Sequence, residues 1–217
     1  VEGYYKYYSL LIGLNRNKLY DDTPENASVP DYYKKDFLNE TGDAEGVDVS
    51  LKFDRKREHF WVTYSLGFIH RNDGRTDFVP PYDRRHNLNL VSSFYWGKKN
   101  TWELDIRYNY GSGFPFTQTA GFYEMLNFSN MSSSYATQNG TLGILYGSYD
   151  EGRLPYYSRL DFNIRKVFNL GGTMKLEANF SVTNALNQQN IFYFDRVSYT
   201  RIDQMPLMPS LGLSFMF

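Results

Sequence analysis

The chain has 217 residues, of which 18% are aromatic (20 Tyr, 17 Phe and 3 Trp), and its 23 Lys and Arg against 24 Asp and Glu leave a net charge of −1. That balance lacks the basic footprint of a nucleic-acid binder, so no nucleic-acid partner is expected. Cys is absent, which removes disulfide frameworks, thiolate metal sites and cysteine nucleophiles.

A mean hydropathy of −0.55 and the lack of any apolar run near about 18 residues exclude a transmembrane helix. A transmembrane β-barrel escapes that test, because its strands alternate apolar and polar residues and their mean hydropathy matches that of a water-soluble chain. Tyr and Trp in excess suit the two interfaces of such a barrel, where a ring can lie in lipid with its polar atom among headgroups. The sequence opens at Val1 with no Met, charged leader or apolar leader, as expected of a processed chain or of a piece of a longer one.

In chain order, the segment from about Tyr4 to Leu14 is strand-like but poorly phased. Val47, Val49, Leu51 and Phe53 then oppose Asp48, Ser50 and Lys52, and Phe60, Val62, Tyr64, Leu66 and Phe68 oppose Thr63, Ser65 and Gly67. Leu88, Leu90, Phe94 and Trp96 make a weaker strand. Trp102, Leu104, Ile106, Tyr108 and Tyr110 alternate with Glu103, Asp105, Arg107 and Asn109, as Leu160, Phe162 and Ile164 do with Arg159, Asp161, Asn163 and Arg165. Met174, Leu176, Ala178, Phe180 and Val182 oppose Lys175, Glu177, Asn179, Ser181 and Thr183, and Leu211, Leu213, Phe215 and Phe217 oppose Ser210, Gly212 and Ser214. A helix would gather its apolar residues at i, i+3 and i+4, so the reading is all-β, with about eight antiparallel strands.

The connections fall into two classes. Residues 54–58, 97–100 and 169–173 have hairpin length and turn chemistry, whereas 17–43, 70–86, 112–155 and 188–208 are long. Strict alternation puts tight turns at one end of the sheet and large loops at the other, the asymmetry of an outer-membrane barrel. A soluble sandwich alternates apolar and polar residues equally well, but has no reason to segregate its loops. The stretch from Asn127 to Gly147, rich in Ser, Asn, Gly, Thr and Tyr, has the composition of an adaptable recognition loop or of a solvated surface loop.

Four stretches together resemble one family. Pro81-Tyr82-Asp83-Arg84-Arg85-His86-Asn87-Leu88 leads into a strand, and Tyr110-Gly111-Ser112-Gly113-Phe114-Pro115 leaves the next. Arg153-Leu154-Pro155-Tyr156-Tyr157-Ser158-Arg159-Leu160-Asp161 and Val182-Thr183-Asn184-Ala185-Leu186-Asn187-Gln188-Gln189-Asn190 come later. They are similar to the barrel of TonB-dependent outer-membrane receptors of the Bacteroidetes type, over most of residues 43–217. The resemblance implies that residues 1–217 are the C-terminal arc of a larger barrel of about 22 strands closed around a plug, with the plug and TonB box outside this chain. It further implies a bacterial outer-membrane location, and contact with lipid, with TonB through the plug, and with the barrel-assembly machinery, which would read the terminal Phe217. A surface lipoprotein or other outer-membrane subunit is a further partner it admits. The implied function is uptake of a scarce solute: an iron chelate, a glycan or a peptide. A receptor-like barrel serving as a scaffold, and a complete eight-stranded adhesin or anchor whose first strand pairs with its last, are the alternatives.

The residues expected to do the work are of two kinds. Phe114, Phe116, Tyr123, Tyr146, Tyr149, Phe192 and Tyr193 in the long loops are the candidate ligand contacts. Asp48, Lys52, Glu103, Asp105, Arg107, Arg159, Asp161, Arg165, Lys175 and Glu177 are expected on the inward face, where adjacent strands carry both signs and can pair across about 5 Å. They form either a satisfied lumen wall or a charged translocation path. The cluster Asp83-Arg84-Arg85-His86 is expected to pin a loop by Arg hydrogen bonds rather than to bind metal, since His59, His70 and His86 lack metal-ligand spacing. No Gly-x-Ser-x-Gly elbow or other catalytic constellation is visible, so neither enzyme activity nor a cofactor is expected. Asn-x-Ser/Thr triplets at Asn26, Asn39, Asn127, Asn130 and Asn139 are incidental in a bacterial outer membrane.

Overall fold

A computed structural model describes residues 1–15, 33–125, 141–195 and 197–217. In chain order the strands are β1 (Glu2–Leu14), β2 (Phe37–Arg55), β3 (Glu58–Asn72), β4 (Asp77–Phe78), β5 (His86–Trp96), β6 (Trp102–Gly111), β7 (Pro115–Phe116), β8 (Thr119–Met125), β9 (Thr141–Tyr146), β10 (Gly152–Arg153), β11 (Tyr157–Gly171), β12 (Met174–Thr183), β13 (Ile191–Asp195), β14 (Thr200–Asp203) and β15 (Met208–Met216). Eight long strands form one antiparallel sheet in the order β1-β2-β3-β5-β6-β11-β12-β15, with β4 added beside β3. The pairs β7 with β10, β8 with β9 and β13 with β14 are separate two-stranded ribbons. The sheet is therefore a meander, and the ribbons belong to its long connections.

The register keeps apolar residues on one face across the whole sheet. Phe53 stands opposite Phe60, and Val62 opposite Leu90. Leu90 in turn faces Tyr108, which faces Leu160. Phe162 faces Val182 and Phe180 faces Leu211. A slip of one residue in any of these ladders would turn a strand's apolar set to the other side, so the pattern itself fixes the pairing.

The poor phasing of the first strand has a local cause. Tyr8 pairs with Gly42 and Leu11 with Glu40, so Ser9 and Leu10 oppose the single residue Thr41 in a β-bulge. Tyr5 and Tyr7 lie on the apolar face before the bulge, and Ile12 and Leu14 lie on it after, one residue out of step. The same pairing makes β2 begin at Phe37, inside the segment expected to be loop. Glu40, Thr41 and Gly42 interrupt its alternation and hide it.

The tight turns lie where expected. Arg55 pairs with Glu58 around a two-residue turn. Gly171 and Gly172 take φ of 106° and 59°, a left-handed backbone that favours glycine. The long connections are more structured than expected, since 112–155 and 188–208 contain six short strands among their described residues. The part of the Asn127–Gly147 segment at 127–140 lies outside the described residues, as do Asn26, Asn127, Asn130 and Asn139.

The sheet has no hydrophobic core of its own. Among the described residues only Phe78 and Val182 are buried hydrophobics, while Leu51, Phe94, Phe168, Phe180, Leu211 and Leu213 are exposed on the apolar face. The edges are also open among the described residues, where β1 pairs only with β2 and β15 only with β12. A closed eight-stranded barrel would need a ladder between β1 and β15, which the described residues do not form.

Candidate functional site

The loop end of the sheet is held by pins made from the four motif stretches. Asp83 is almost wholly buried, and its Oδ2 accepts a hydrogen bond from Arg153 Nη2 at 2.6 Å with Arg85 Nε at 3.8 Å. Arg153 Nη1 reaches on to the carbonyl of Gly113 at 3.2 Å, and the Leu154 amide donates to the Phe114 carbonyl at 2.9 Å. Arg84 lies 4.2 Å from the centre of the Phe114 ring and 5.5 Å from that of Tyr157. Burial pulls its pKa below the ordinary guanidinium value, an effect that charge interaction with the Tyr157 side chain partly offsets.

Two glycines make this assembly possible. A β-carbon on Gly111 would stand 2.7 Å from the Arg84 guanidinium, and one on Gly113 would collide with the Leu154 carbonyl. The His86 amide donates to Ser112 Oγ at 3.0 Å, and His86 Nδ1 meets the Tyr64 hydroxyl at 2.8 Å. Within the 83–86 cluster the pin differs from the one expected: Asp83 is held by Arg153 rather than by its own arginines, the Nε atoms of Arg84 and Arg85 have no hydrogen-bond partner among the described residues, and Arg84 acts through ring contacts instead.

A second set of pins fastens the connection after β12. Asn184, at φ 53°, receives Gln188 N on its Oδ1 and donates from Nδ2 to the carbonyls of Gln188 and Met205. Its amide donates to Asp161 Oδ1 at 2.9 Å, and the same oxygen accepts from Arg159 Nε at 2.8 Å. Asn190 exchanges two hydrogen bonds with the Ser158 backbone, at 3.0 and 2.8 Å. Asp161 therefore anchors a loop to the polar face as well as pairing with a cation.

Between these pinned connections lies a cavity of about 700 Å³, within the range of pockets that enclose drug-sized ligands. Its rings are Phe116, Phe192, Tyr193, Phe194 and Tyr199, with Leu154 beside them and Gln118, Thr119 and Asp195 as its polar groups. Phe116 and Phe194 approach at 6.5 Å between ring centres, which joins β7 to β13. Tyr199 packs edge-on against Phe122 of β8 at 5.8 Å. The Ser198 and Val197 amides donate to Asp195 Oδ1 and hold its carboxyl below the usual carboxylate range. A smaller cavity of about 360 Å³ shares Phe192 and is lined by Arg159, Asn190, Gln204 and Met205.

The polar face carries the second group of candidates. Arg165 sits between two carboxylates on neighbouring strands: its Nε donates to Glu103 Oε2 at 2.6 Å and its Nη1 to Glu177 Oε2 at 3.3 Å. Asp105 accepts from Ser93 Oγ at 2.6 Å and from Asn163 Nδ2 at 3.1 Å. Asn109 donates to Asn89 at 2.5 Å, and Trp61, an aromatic on this face, donates to Ser50 at 3.0 Å. Arg107 stands opposite Asp161 in register. Lys52 pairs with Asp54 at 3.3 Å, toward the short-turn end. Asp48 faces Ser65, and Lys175 faces Met216 near the edge.

Of the seven aromatic candidates, the structure gathers Phe116, Phe192 and Tyr193 at the larger cavity. Phe114 is taken by Arg84, and Tyr149 packs edge-on against buried Phe78 at 6.4 Å. Tyr123 lies over Gly143 within the β8–β9 ribbon, which Tyr146 closes opposite Thr119. Phe217 is exposed and pairs with Phe215 at 6.1 Å. Sequence reasoning missed Phe194, Asp195 and Tyr199. The available signal was the Asp195-x-x-Ser198 spacing, a side-chain-capped turn that closes an aromatic hairpin. Comparison with protein-family models, with curated proteins and with solved structures finds no match to this chain. Fold and geometry alone define its class: an all-β antiparallel sheet that, among the described residues, is open and leaves its apolar face uncovered, with a pinned, aromatic loop end.

Proposed function

We propose that this chain is an arc of an outer-membrane β-barrel of the TonB-dependent receptor type, which captures a scarce solute with its loop end and passes it along the polar face. The carrying observation is the apolar face, which runs in register across all eight long strands and is left uncovered. In water, a sheet of this size stabilises itself by burying that face against a second layer. Lipid does the same job for a barrel, and the opposite face, with its paired Arg165, Glu103 and Glu177, then lines the lumen.

The open edges at β1 and β15 fit an arc that further strands complete, because an unpaired edge inside lipid leaves backbone groups unsatisfied. Aromatic and basic groups cluster where the short turns meet the apolar face. Trp96 and Trp102 stack at 5.7 Å, and Lys166 lies 4.5 Å from the Trp102 ring while donating to Thr101 Oγ1. That is the arrangement of an interface girdle with a snorkelling lysine.

The test is fractionation of cells that make the native polypeptide, followed by solute uptake with and without TonB. Recovery in the outer membrane of a larger polypeptide that includes a plug, with uptake lost when TonB is removed, is the expected result. Recovery from the aqueous fraction would overturn the proposal. Outer-membrane recovery with uptake indifferent to TonB would overturn the transport role and favour a scaffold.

A further inference from the structure

We infer that the aromatic cleft at the loop end is a binding site for a cationic, largely apolar organic ligand, an ammonium group carried on a ring-bearing or lipophilic body. This deepens the receptor reading and rests on it for the cleft's biological use. The cavity of about 700 Å³ is lined by five aromatic rings, and among its described lining residues the one formal charge is the Asp195 carboxylate. No Lys, Arg or His lines it among the described residues. A ligand carrying carboxylates, phosphates or deprotonated catechols would leave water for rings and an anion, with no cation among the described lining residues to replace its hydration.

Ring faces carry negative potential, so a cation gains from them and from the carboxylate together. The apolar body of the same ligand covers Phe116, Phe194 and Leu154. The polar equipment is arranged accordingly. Asp195 Oδ1 accepts from the Val197 and Ser198 amides, which fixes the carboxylate at the cleft. The basic residue of β14, Arg201, is committed to Asp203 at 2.6 Å and to the Gln189 carbonyl at 2.6 Å.

Tyr199 holds a left-handed backbone, φ 53°, at the turn that presents its ring to the cleft. Such a conformation is uncommon for an aromatic residue and is kept where the surroundings demand it. The cleft is thus built from the ribbon outward, with a capped turn fixing both the anion and one wall.

The experiment uses the purified full-length protein in detergent and three probes with one body: (1-naphthylmethyl)trimethylammonium, 1-naphthylmethanol and 1-naphthalenesulfonate, each titrated by saturation-transfer NMR. The expected order is cation, then neutral, then anion, with the cation about tenfold tighter than the alcohol, the size of one good cation–aromatic contact plus an exposed carboxylate. Asp195→Asn keeps an oxygen to cap Val197 and Ser198, so it should leave the alcohol's affinity unchanged and bring the cation to within about twofold of it. Phe192→Ala and Tyr199→Phe separate wall from charge: the first weakens all three probes, and the second changes none by more than about twofold.

Sulfonate binding as tight as the cation, an order untouched by Asp195→Asn, or no binding by any probe would overturn the inference. So would displacement of the cation by a neutral maltooligosaccharide whose own affinity ignores Asp195. Because binding is read without transport, cation selectivity in a protein that fails fractionation or uptake would sink the receptor reading alone, and the reverse pattern would sink this inference alone.

Discussion

The sheet and the loop end are built on opposite principles. In the sheet, side-chain contacts join neighbours on adjacent strands, as Arg165 does with Glu103 and Glu177, or neighbours within one strand, as Lys52 does with Asp54, and alternation specifies most of its strands. In the loop end, single buried polar groups tie together segments far apart in sequence: Asp83 to Arg153, Asn190 to Ser158, Asn184 to Met205. Many weak, repeated contacts make the sheet tolerant of any one change. A few unrepeated contacts make the loop end fragile, and the aromatic cleft depends on them.

The largest expected effect therefore lies in the loop end. Gly113→Ala sets a β-carbon against the Leu154 carbonyl, and backbone cannot yield as a side chain can. Overpacking of that kind costs about 3 kcal/mol, seen as a lower melting temperature of the detergent-solubilised protein and loss of naphthyl cation binding. Asp83→Ala should follow, at about 2 kcal/mol, by stranding Arg153 beside a buried position. Both changes should leave membrane insertion intact. If either abolished insertion instead, the division between sheet and loop end would fail.

On the polar face, Arg165→Met leaves Glu103 and Glu177 without their shared cation. With Arg165 partly exposed, the loss should be about 1 kcal/mol, and Glu103→Gln in the same protein should restore part of it. Full additivity of the two substitutions in a thermal melt would show that the triad is not coupled. On the apolar face, Lys166→Ala removes the contact with Trp102 and should cost about 0.5 kcal/mol.

The smallest effect concerns pH. The Asp195 carboxyl is held below its usual range by the Ser198 and Val197 amides, so it is the ionised form that the turn stabilises. Cation preference in the cleft should therefore persist as pH falls through about 4, where an ordinary Asp is half protonated, and disappear only below that. Loss of preference at a pH of about 5, above that ordinary midpoint, would mean that the turn does not control the carboxylate.

Much of the sheet was legible because period two leaves no alternative for segments such as Trp102–Tyr110 or Met174–Val182. Where it failed, the cause is physical: a bulge at Ser9 and Leu10 shifts the parity of β1, and Glu40, paired with Arg71 at 2.7 Å, puts a buried charge in β2 where alternation was sought. On the polar face the charged residues were visible, but not which pairs form, because Asp161 is claimed by the Asn184 amide as well as by Arg159. The cleft was half visible. Phe116, Phe192 and Tyr193 stand out as loop aromatics, whereas Tyr199 and Asp195 matter through a turn and a three-dimensional meeting of ribbons that spacing alone does not encode. Phe114 and Tyr149 look identical to them in sequence, yet Arg84 and Phe78 take them up.

If one face of the sheet lies in lipid and the other lines an aqueous lumen, the two faces differ in their access to water-soluble reagents. The chain has no Cys, so single cysteines introduced into it can be read without background from it. Leu104→Cys and Leu213→Cys on the apolar face, and Ser93→Cys and Ser181→Cys on the polar face, should be placed in the full-length protein in outer-membrane vesicles and exposed to a water-soluble maleimide. The two polar-face variants should be labelled, and the two apolar-face variants should be protected until detergent is added. Equal labelling of all four in intact vesicles, or protection of the polar-face pair with labelling of the apolar-face pair, would contradict that assignment of the faces.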